Sequence, residues 1–96
     1  MSQLQTIQQK KPEILAVARL HGLVNVRVFG SVVRGEDTPQ SDIDFLVDLE
    51  HGRTLLDMGG ALVQLQELLG RKVDIVTERG LHWYLKEKIL KEAQPL

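Results

Sequence analysis

The run DIDFLVDL at residues 42–49 restricts the fold of this chain more than any other feature. Ile43, Phe45 and Val47 recur at every second position, and this period is typical of a β-strand that buries one face. Asp42 and Asp44 then share the opposite face, about 6.6 Å apart along the strand. The run therefore predicts a sheet with one face against an apolar core and one face that carries carboxylates.

Two further runs predict the other strands of this sheet. LVNVRVF at residues 23–29 places Val24, Val26 and Val28 on one face, opposite its polar residues. KVDIVT at residues 72–77 alternates in the same way. We therefore expect three strands, each with a single buried face.

Helices are predicted before, between and after these strands. Pro12 suits the first turn of a helix over residues 12–21. Thr54 and Asp57 have the spacing of a capping box, and Gly70 ends the apolar stripe that follows them. A helix that joins two strands in this way indicates that the strands are parallel. The predicted class is α/β (α+β), with a small, mixed three-stranded sheet, helices packed on one face, and the strand order left open.

The length and charge of the chain narrow the possible functions. Ninety-six residues predict one domain over residues 1–96, and a core this small makes a homodimer or a stable partner plausible. The net charge of −1 gives no general attraction to nucleic acid. Residues 1–11 are polar, without the apolar core of a signal peptide, and are expected to be a frayed start or a weak extension of the first helix. We expect a cytoplasmic protein without a membrane span.

A third carboxylate is predicted to join the first two. In the KVDIVT strand Asp74 faces away from Val73 and Ile75, so Asp42, Asp44 and Asp74 gather on one face if the apolar sides meet the same helices. Three close carboxylates repel one another unless a cation binds. Mg²⁺ prefers such oxygens, and two ions could serve a phosphoryl or nucleotidyl transfer. The alternative is a solvated strand edge.

Gly30 and Ser31 end the first predicted strand, ahead of a short helical turn. Such a turn offers backbone N–H groups and a hydroxyl to an anion, and glycine allows a phosphate to approach the backbone closely. The alternative is an ordinary strand-to-helix turn in which Ser31 is the N-cap. Together with the carboxylates, the pair favours a site for a phosphate.

The stretch GSVVRGEDTPQSDIDFLVD resembles the nucleotidyltransferase signature of the DNA polymerase beta superfamily. More narrowly, it is similar to the minimal nucleotidyltransferase (MNT) domains that act as antitoxins beside HEPN toxins. The later stretch GRKVDIVTERGL also matches, so the resemblance covers about residues 22–85. It implies the polymerase beta-like fold and an enzyme that moves a nucleoside monophosphate from an NTP, usually ATP, to an acceptor hydroxyl.

The resemblance also implies roles for individual residues. Gly30 and Ser31 would hold the triphosphate, and Arg34 could reach the phosphates or the partner. Its alternative is a surface arginine paired with a neighbouring acid. The ligands of two Mg²⁺ ions would be the three carboxylates already named, Asp42, Asp44 and Asp74, and Asp74 could also help to deprotonate the acceptor.

Three functions remain open at this point. The first is an antitoxin enzyme that adenylylates a hydroxyl, typically of tyrosine, on a partner HEPN toxin. The second is an antitoxin that neutralises its partner by contact alone. The third is a transferase for small molecules of the aminoglycoside type, which would need a further domain or a dimer cleft because 96 residues leave no platform for the acceptor.

Overall fold

The computed structural model of the protein describes residues 2–96, which form five helices and four strands. In chain order the elements are α1 (Gln3–Gln9), α2 (Lys11–Leu20), β1 (Leu23–Phe29), α3 (Ser31–Arg34), β2 (Ile43–Leu49), α4 (Leu55–Leu69), β3 (Val73–Thr77), α5 (Trp83–Glu92) and β4 (Gln94–Pro95).

The strands form one mixed sheet in the order β3-β2-β1-β4. β2 and β3 are parallel and are joined by α4, as predicted, whereas β1 is antiparallel to both β2 and β4. The predicted fold class is confirmed, but the predicted count of three strands is wrong. The fourth strand has two residues, one of them proline, and pairs only with Val28 and Arg27 of β1. So short a strand has no alternation from which it could be recognised.

The core lies between one face of the sheet and the first helices. Ile43, Phe45 and Val47 are at most 1% exposed, which confirms the predicted buried face of β2. Ile14 of α2 is also buried, and this helix occupies nearly the predicted residues. The expectation of a frayed start was wrong, because α1 is a separate helix with a capping box at Ser2 and a fully buried Ile7.

A bulge interrupts β1 and changes which of its residues are buried. The register with β2 shifts between Val24 and Arg27, and Asn25 between them has a φ of 51°. As a result Val24 is exposed although it was predicted to share the buried face with Val26 and Val28. Arg27 is buried, 3.6 Å from both Asp48 and Glu78.

The two long helices after β2 differ in their packing. α4 begins with the predicted capping box, in which Thr54 and Asp57 bond each other's backbone, and Gly70 ends it in the left-handed conformation. α5 has no buried residue, and its Trp83 is 81% exposed. In residues 2–96 no helix is long and apolar enough to cross a membrane.

Candidate active site

The starts of β2 and β3 bring two of the predicted carboxylates side by side. The parallel register places Asp44 directly beside Asp74, and adjacent strands lie about 4.8 Å apart. Asp44 is partly buried and Asp74 is exposed. Because Ile43 and Phe45 point into the core, both carboxylates lie on the sheet's other face, as predicted from the alternation.

The proximity of these acids changes the protonation of Asp44. Burial, together with the negative charges of Asp74, Asp42 and Glu92, raises its pKa to about 6 against the opposing charge of Arg34. A carboxylate that is partly buried beside other negative charges is stabilised by binding either a proton or a metal cation. This is the electrostatic condition under which a bound cation stabilises the site most.

Asp42 lies close enough for its charge to act on Asp44, and it also has a lysine neighbour. It immediately precedes β2, and its Oδ2 lies 3.9 Å from Nζ of Lys72. Within the described part of the chain, no group of three acidic or imidazole side chains is already arranged to hold a metal ion. Asp44 and Asp74 supply the hard oxygen donors that Mg²⁺ prefers, and Asp42, which pairs loosely with Lys72, is the third candidate ligand. The carboxylates therefore fit Mg²⁺ chemically, with two of the three placed together.

Gly30 lies against Asp44 at the end of β1. Its φ of 85° and ψ of −156° belong to a region that is open to glycine, and a Cβ atom here would overlap Asp44 Oδ2. From the sequence, this glycine is expected to allow a phosphate to approach the backbone closely. The structure adds that it makes room for a carboxylate of the same site.

Ser31 follows as the first residue of α3, and Gly30 is the N-cap. The interpretation of Ser31 as an N-cap is therefore wrong. Its hydroxyl has no hydrogen-bond partner among residues 2–96, and the residue is only partly buried. The Oγ atom remains available to a ligand beside Asp44.

Arg34 forms ion pairs with two acids. Its Nε donates to Glu36 Oε1 at 2.9 Å, and its Nη1 donates to Glu92 Oε1. The bond to Glu92, followed by that to Glu36, raises the pKa of Arg34. The predicted alternative of a pairing with a neighbouring acid is thus present, but Glu92 adds a partner far away in sequence.

Glu92, the last residue of α5, also accepts a hydrogen bond from the Gly30 backbone N–H at 3.0 Å. Burial alone would raise the pKa of Glu92, but the bonds from Arg34 and Gly30 outweigh it and lower this pKa. Sequence reasoning missed Glu92. No local motif surrounds it, and its partners lie 58 and 62 residues earlier.

The loop before β2 is tied down beside the site. Ser41 Oγ accepts the Thr38 N–H at 2.8 Å, and Arg71 donates to the carbonyl oxygens of both residues. These bonds set the path along which the chain enters β2, directly before Asp42. A cavity of about 580 Å³ lies at the other end of β2 and β3, lined by Glu50, Arg79 and their neighbours, away from the carboxylates.

Comparison with known proteins identifies the family. Residues 14–96, most of the chain, match the family described as "Nucleotidyltransferase domain". The chain belongs to this family. A curated relative from Methanocaldococcus jannaschii, provisionally named a protein adenylyltransferase, is 39% identical over 87 residues, which are 91% of this chain and 94% of that protein.

Solved structures agree with this nucleotidyltransferase assignment. One, provisionally described as a minimal nucleotidyltransferase, superimposes with a TM-score of 0.88 at 49% identity and covers 100% of this chain and 97% of the other. A complex described as a tri-AMPylated Shewanella oneidensis HEPN toxin with its MNT antitoxin superimposes with a TM-score of 0.69 at 20% identity over 92% of this chain and 69% of that one. The latter likeness shows the fold alone.

These findings confirm three of the predictions. The chain is a minimal nucleotidyltransferase of the MNT group, it has the expected fold, and it belongs to the transferase enzymes. The roles of individual residues in this nucleotidyltransferase remain predictions, which the geometry described above informs.

Proposed function

We propose that this nucleotidyltransferase is a Mg²⁺-dependent antitoxin that transfers AMP from ATP to a tyrosine hydroxyl of a partner HEPN-type toxin and so neutralises it. The observation that carries the proposal is the Asp44–Asp74 pair beside Gly30 and Ser31. The partly buried carboxylate of Asp44 beside Asp74, and a Ser31 hydroxyl without a partner among residues 2–96, suit a metal–triphosphate ligand.

The residues divide into two groups with different tasks. Gly30, Ser31 and Arg34 hold the triphosphate through a close backbone approach, a hydroxyl and a guanidinium. Asp42, Asp44 and Asp74 would hold Mg²⁺, which would neutralise charge that develops on the phosphate oxygens. One group of residues thus binds the phosphates, and the carboxylates form a second group at the reacting centre.

The transfer itself breaks one bond and forms another. The acceptor oxygen attacks the α-phosphorus of ATP, the bond to the bridging oxygen breaks, and pyrophosphate leaves. The hydroxyl proton goes to Asp74, the more exposed carboxylate of the pair and so the one that an acceptor from solvent can reach. Half-buried Asp44 stays against Gly30, where it would hold Mg²⁺ beside the phosphates.

The acceptor is proposed to be a protein for two reasons. The described domain has a single small core and no second layer that could enclose an acceptor beside the carboxylates. In addition, the S. oneidensis complex with the same fold contains an AMPylated toxin. A partner chain would bring its own hydroxyl to the open face of the sheet, in a hetero-oligomer with this protein.

Neutralisation by contact alone is the competing function. The observation that favours it is the ion pair of Asp42 with Lys72, since a carboxylate engaged in this way is not yet a metal ligand. Intact mass spectrometry of the partner that copurifies with tagged protein decides between the two. The wild type is compared with an Asp42→Asn/Asp44→Asn double variant, and Asp37→Asn, in the loop before Asp42, is the matched control.

A partner that carries AMP increments with the wild type and the control, but not with the double variant, supports the transferase. An unmodified partner, bound equally by all three proteins and equally inactive as a toxin, would show that contact suffices. A third outcome is that no partner copurifies and the purified protein transfers AMP from ATP only to small hydroxylated compounds. In that case the proposal of a protein acceptor is wrong.

A further inference from the structure

The C-terminal end of α5 meets the proposed triphosphate site through one side chain. Glu92 has only 14% of its side chain exposed, and its two carboxylate oxygens bond different groups. Oε2 accepts a hydrogen bond from the Gly30 N–H at 3.0 Å, and Oε1 accepts one from Nη1 of Arg34. Both partners belong to the residues that hold the triphosphate in the proposed function. Glu92 is an anion that bonds these residues and is not itself a phosphate ligand.

The strand pairing explains how Glu92 reaches Gly30. β4 pairs with β1 in a register that sets Gln94 opposite Val28, so the same register two residues further along each strand sets Glu92 opposite Gly30. At that position α5 has not yet ended, and the Glu92 side chain provides the acceptor that a strand backbone would otherwise provide. The Gly30–Glu92 bond thus extends the hydrogen bonding along β1 as far as the Gly30–Ser31 turn.

Arg34 is held from two sides. Glu36 accepts a hydrogen bond from its Nε, and Glu92 accepts one from its Nη1. Nη2 has no partner among the described residues. Glu36 has 60% of its side chain exposed, whereas Glu92 is largely shielded from water. The bond to Glu92 is therefore the stronger restraint, because charge-assisted hydrogen bonds gain strength where the local dielectric is low.

We propose that Glu92 is a positioning residue, which fixes Arg34 and the Gly30–Ser31 turn in the arrangement that receives the triphosphate of ATP. This inference rests on the proposed function, since it assumes that Gly30, Ser31 and Arg34 bind the triphosphate. A guanidinium that is held before the nucleotide arrives loses little conformational freedom on binding. Glu92 also brings a negative charge near the phosphates, so the opposite effect, competition with the triphosphate, is the alternative that an experiment must separate.

The test compares Glu92→Gln with Glu87→Gln. Glutamine keeps an oxygen for the Gly30 N–H but removes the ion pair with Arg34. Glu87 lies on the same helix, has 80% of its side chain exposed and, among residues 2–96, pairs only with Lys91, so its replacement is a matched control. The dissociation constant of ATP is measured by titration in the presence of Mg²⁺ and without an acceptor, together with kcat for AMP transfer and the melting temperature.

We expect Glu92→Gln to weaken ATP binding about tenfold, the factor that corresponds to one misplaced charge-assisted hydrogen bond. The control should bind ATP like the wild type, and kcat at saturating ATP should change far less than the dissociation constant. In an Arg34→Gln background, Glu92→Gln should have little further effect on binding, because the residue it positions is already absent.

Three results would overturn the inference. Tighter ATP binding by Glu92→Gln would mean that the carboxylate competes with the triphosphate. Unchanged binding, or an undiminished loss in the Arg34→Gln background, would mean that Glu92 does not act through Arg34. A variant that fails to fold would assign Glu92 a purely structural role. A wild type that binds ATP but transfers no AMP would instead contradict the proposed function, while the binding comparison would still test Glu92.

Discussion

Replacement of Asp44 by asparagine should make the metal-free protein more stable, although it removes a residue of the proposed site. The pKa of Asp44 rises from 3.8 to about 6 on folding, chiefly through burial and the neighbouring carboxylates. A rise of about two units corresponds to about 3 kcal/mol against the charged form. Because Asp44 is only partly buried, screening by solvent reduces this to about 1–1.5 kcal/mol. Asparagine has nearly the same shape and no charge.

The effect has a defined dependence on pH. A carboxyl group whose pKa is higher in the folded protein than in the unfolded chain contributes stability that is complete below 3.8 and is lost as the pH rises through about 6. The advantage of Asp44→Asn should therefore be greatest above pH 6 and should vanish as the pH falls toward about 4. Urea unfolding followed by circular dichroism, in EDTA to remove divalent cations, measures the free energy of unfolding of both proteins at each pH. At neutral pH the melting temperature should rise by about 4–8 °C per kcal/mol.

Asp48→Asn on the same strand provides a control of opposite sign. Asp48 lies 3.6 Å from the buried guanidinium of Arg27 and accepts a hydrogen bond from Asn25, so its charge has favourable partners. This replacement should lower the stability by about 1–2 kcal/mol. The reasoning about Asp44 is refuted if Asp44→Asn is less stable than the wild type at neutral pH, or if its advantage does not shrink on acidification.

Two further variants test the packing around the site and the core. Gly30→Ala should cost about 2–4 kcal/mol of unfolding free energy, because φ is 85° there and the new Cβ overlaps Asp44 Oδ2; a loss below 1 kcal/mol in urea unfolding would contradict the described approach of the two residues. Ile7→Ala should cost about 2–5 kcal/mol, since Ile7 is fully buried in α1. A melting temperature equal to that of the wild type would show instead that α1 is dispensable.

Much of the fold follows from local patterns along the chain. The alternation of Ile43, Phe45 and Val47 with Asp42 and Asp44 was sufficient to predict β2, its buried face and the side on which the carboxylates lie. Such patterns succeed because the direction of a strand side chain depends only on its position along the strand. The capping box at the start of α4 is equally local, since its bonds join residues three positions apart.

Other features were missed because local composition gave no sign of them. Residues 3–9 are rich in glutamine, yet they form a helix that buries Ile7 against the rest of the core. In β1 the bulge at Asn25 reversed the expected exposure of Val24, and the burial of Arg27 beside Asp48 and Glu78 was also missed. A bulge shifts side chains by one position and cannot be recognised from an otherwise regular alternation.

The sequence by itself determined which chemical groups this nucleotidyltransferase carries, and the tertiary structure decided how they meet. The spacing of Gly30, Ser31, Asp42 and Asp44 is contained in one segment of the chain, so the motif and the face of the strand could be predicted from it. The ion pair of Asp42 with Lys72, and the bonds of Glu92 to Gly30 and Arg34, are visible only in the tertiary structure. Contacts between residues about 60 positions apart depend on how β1, α5 and β4 assemble, and no local pattern of residues encodes that arrangement.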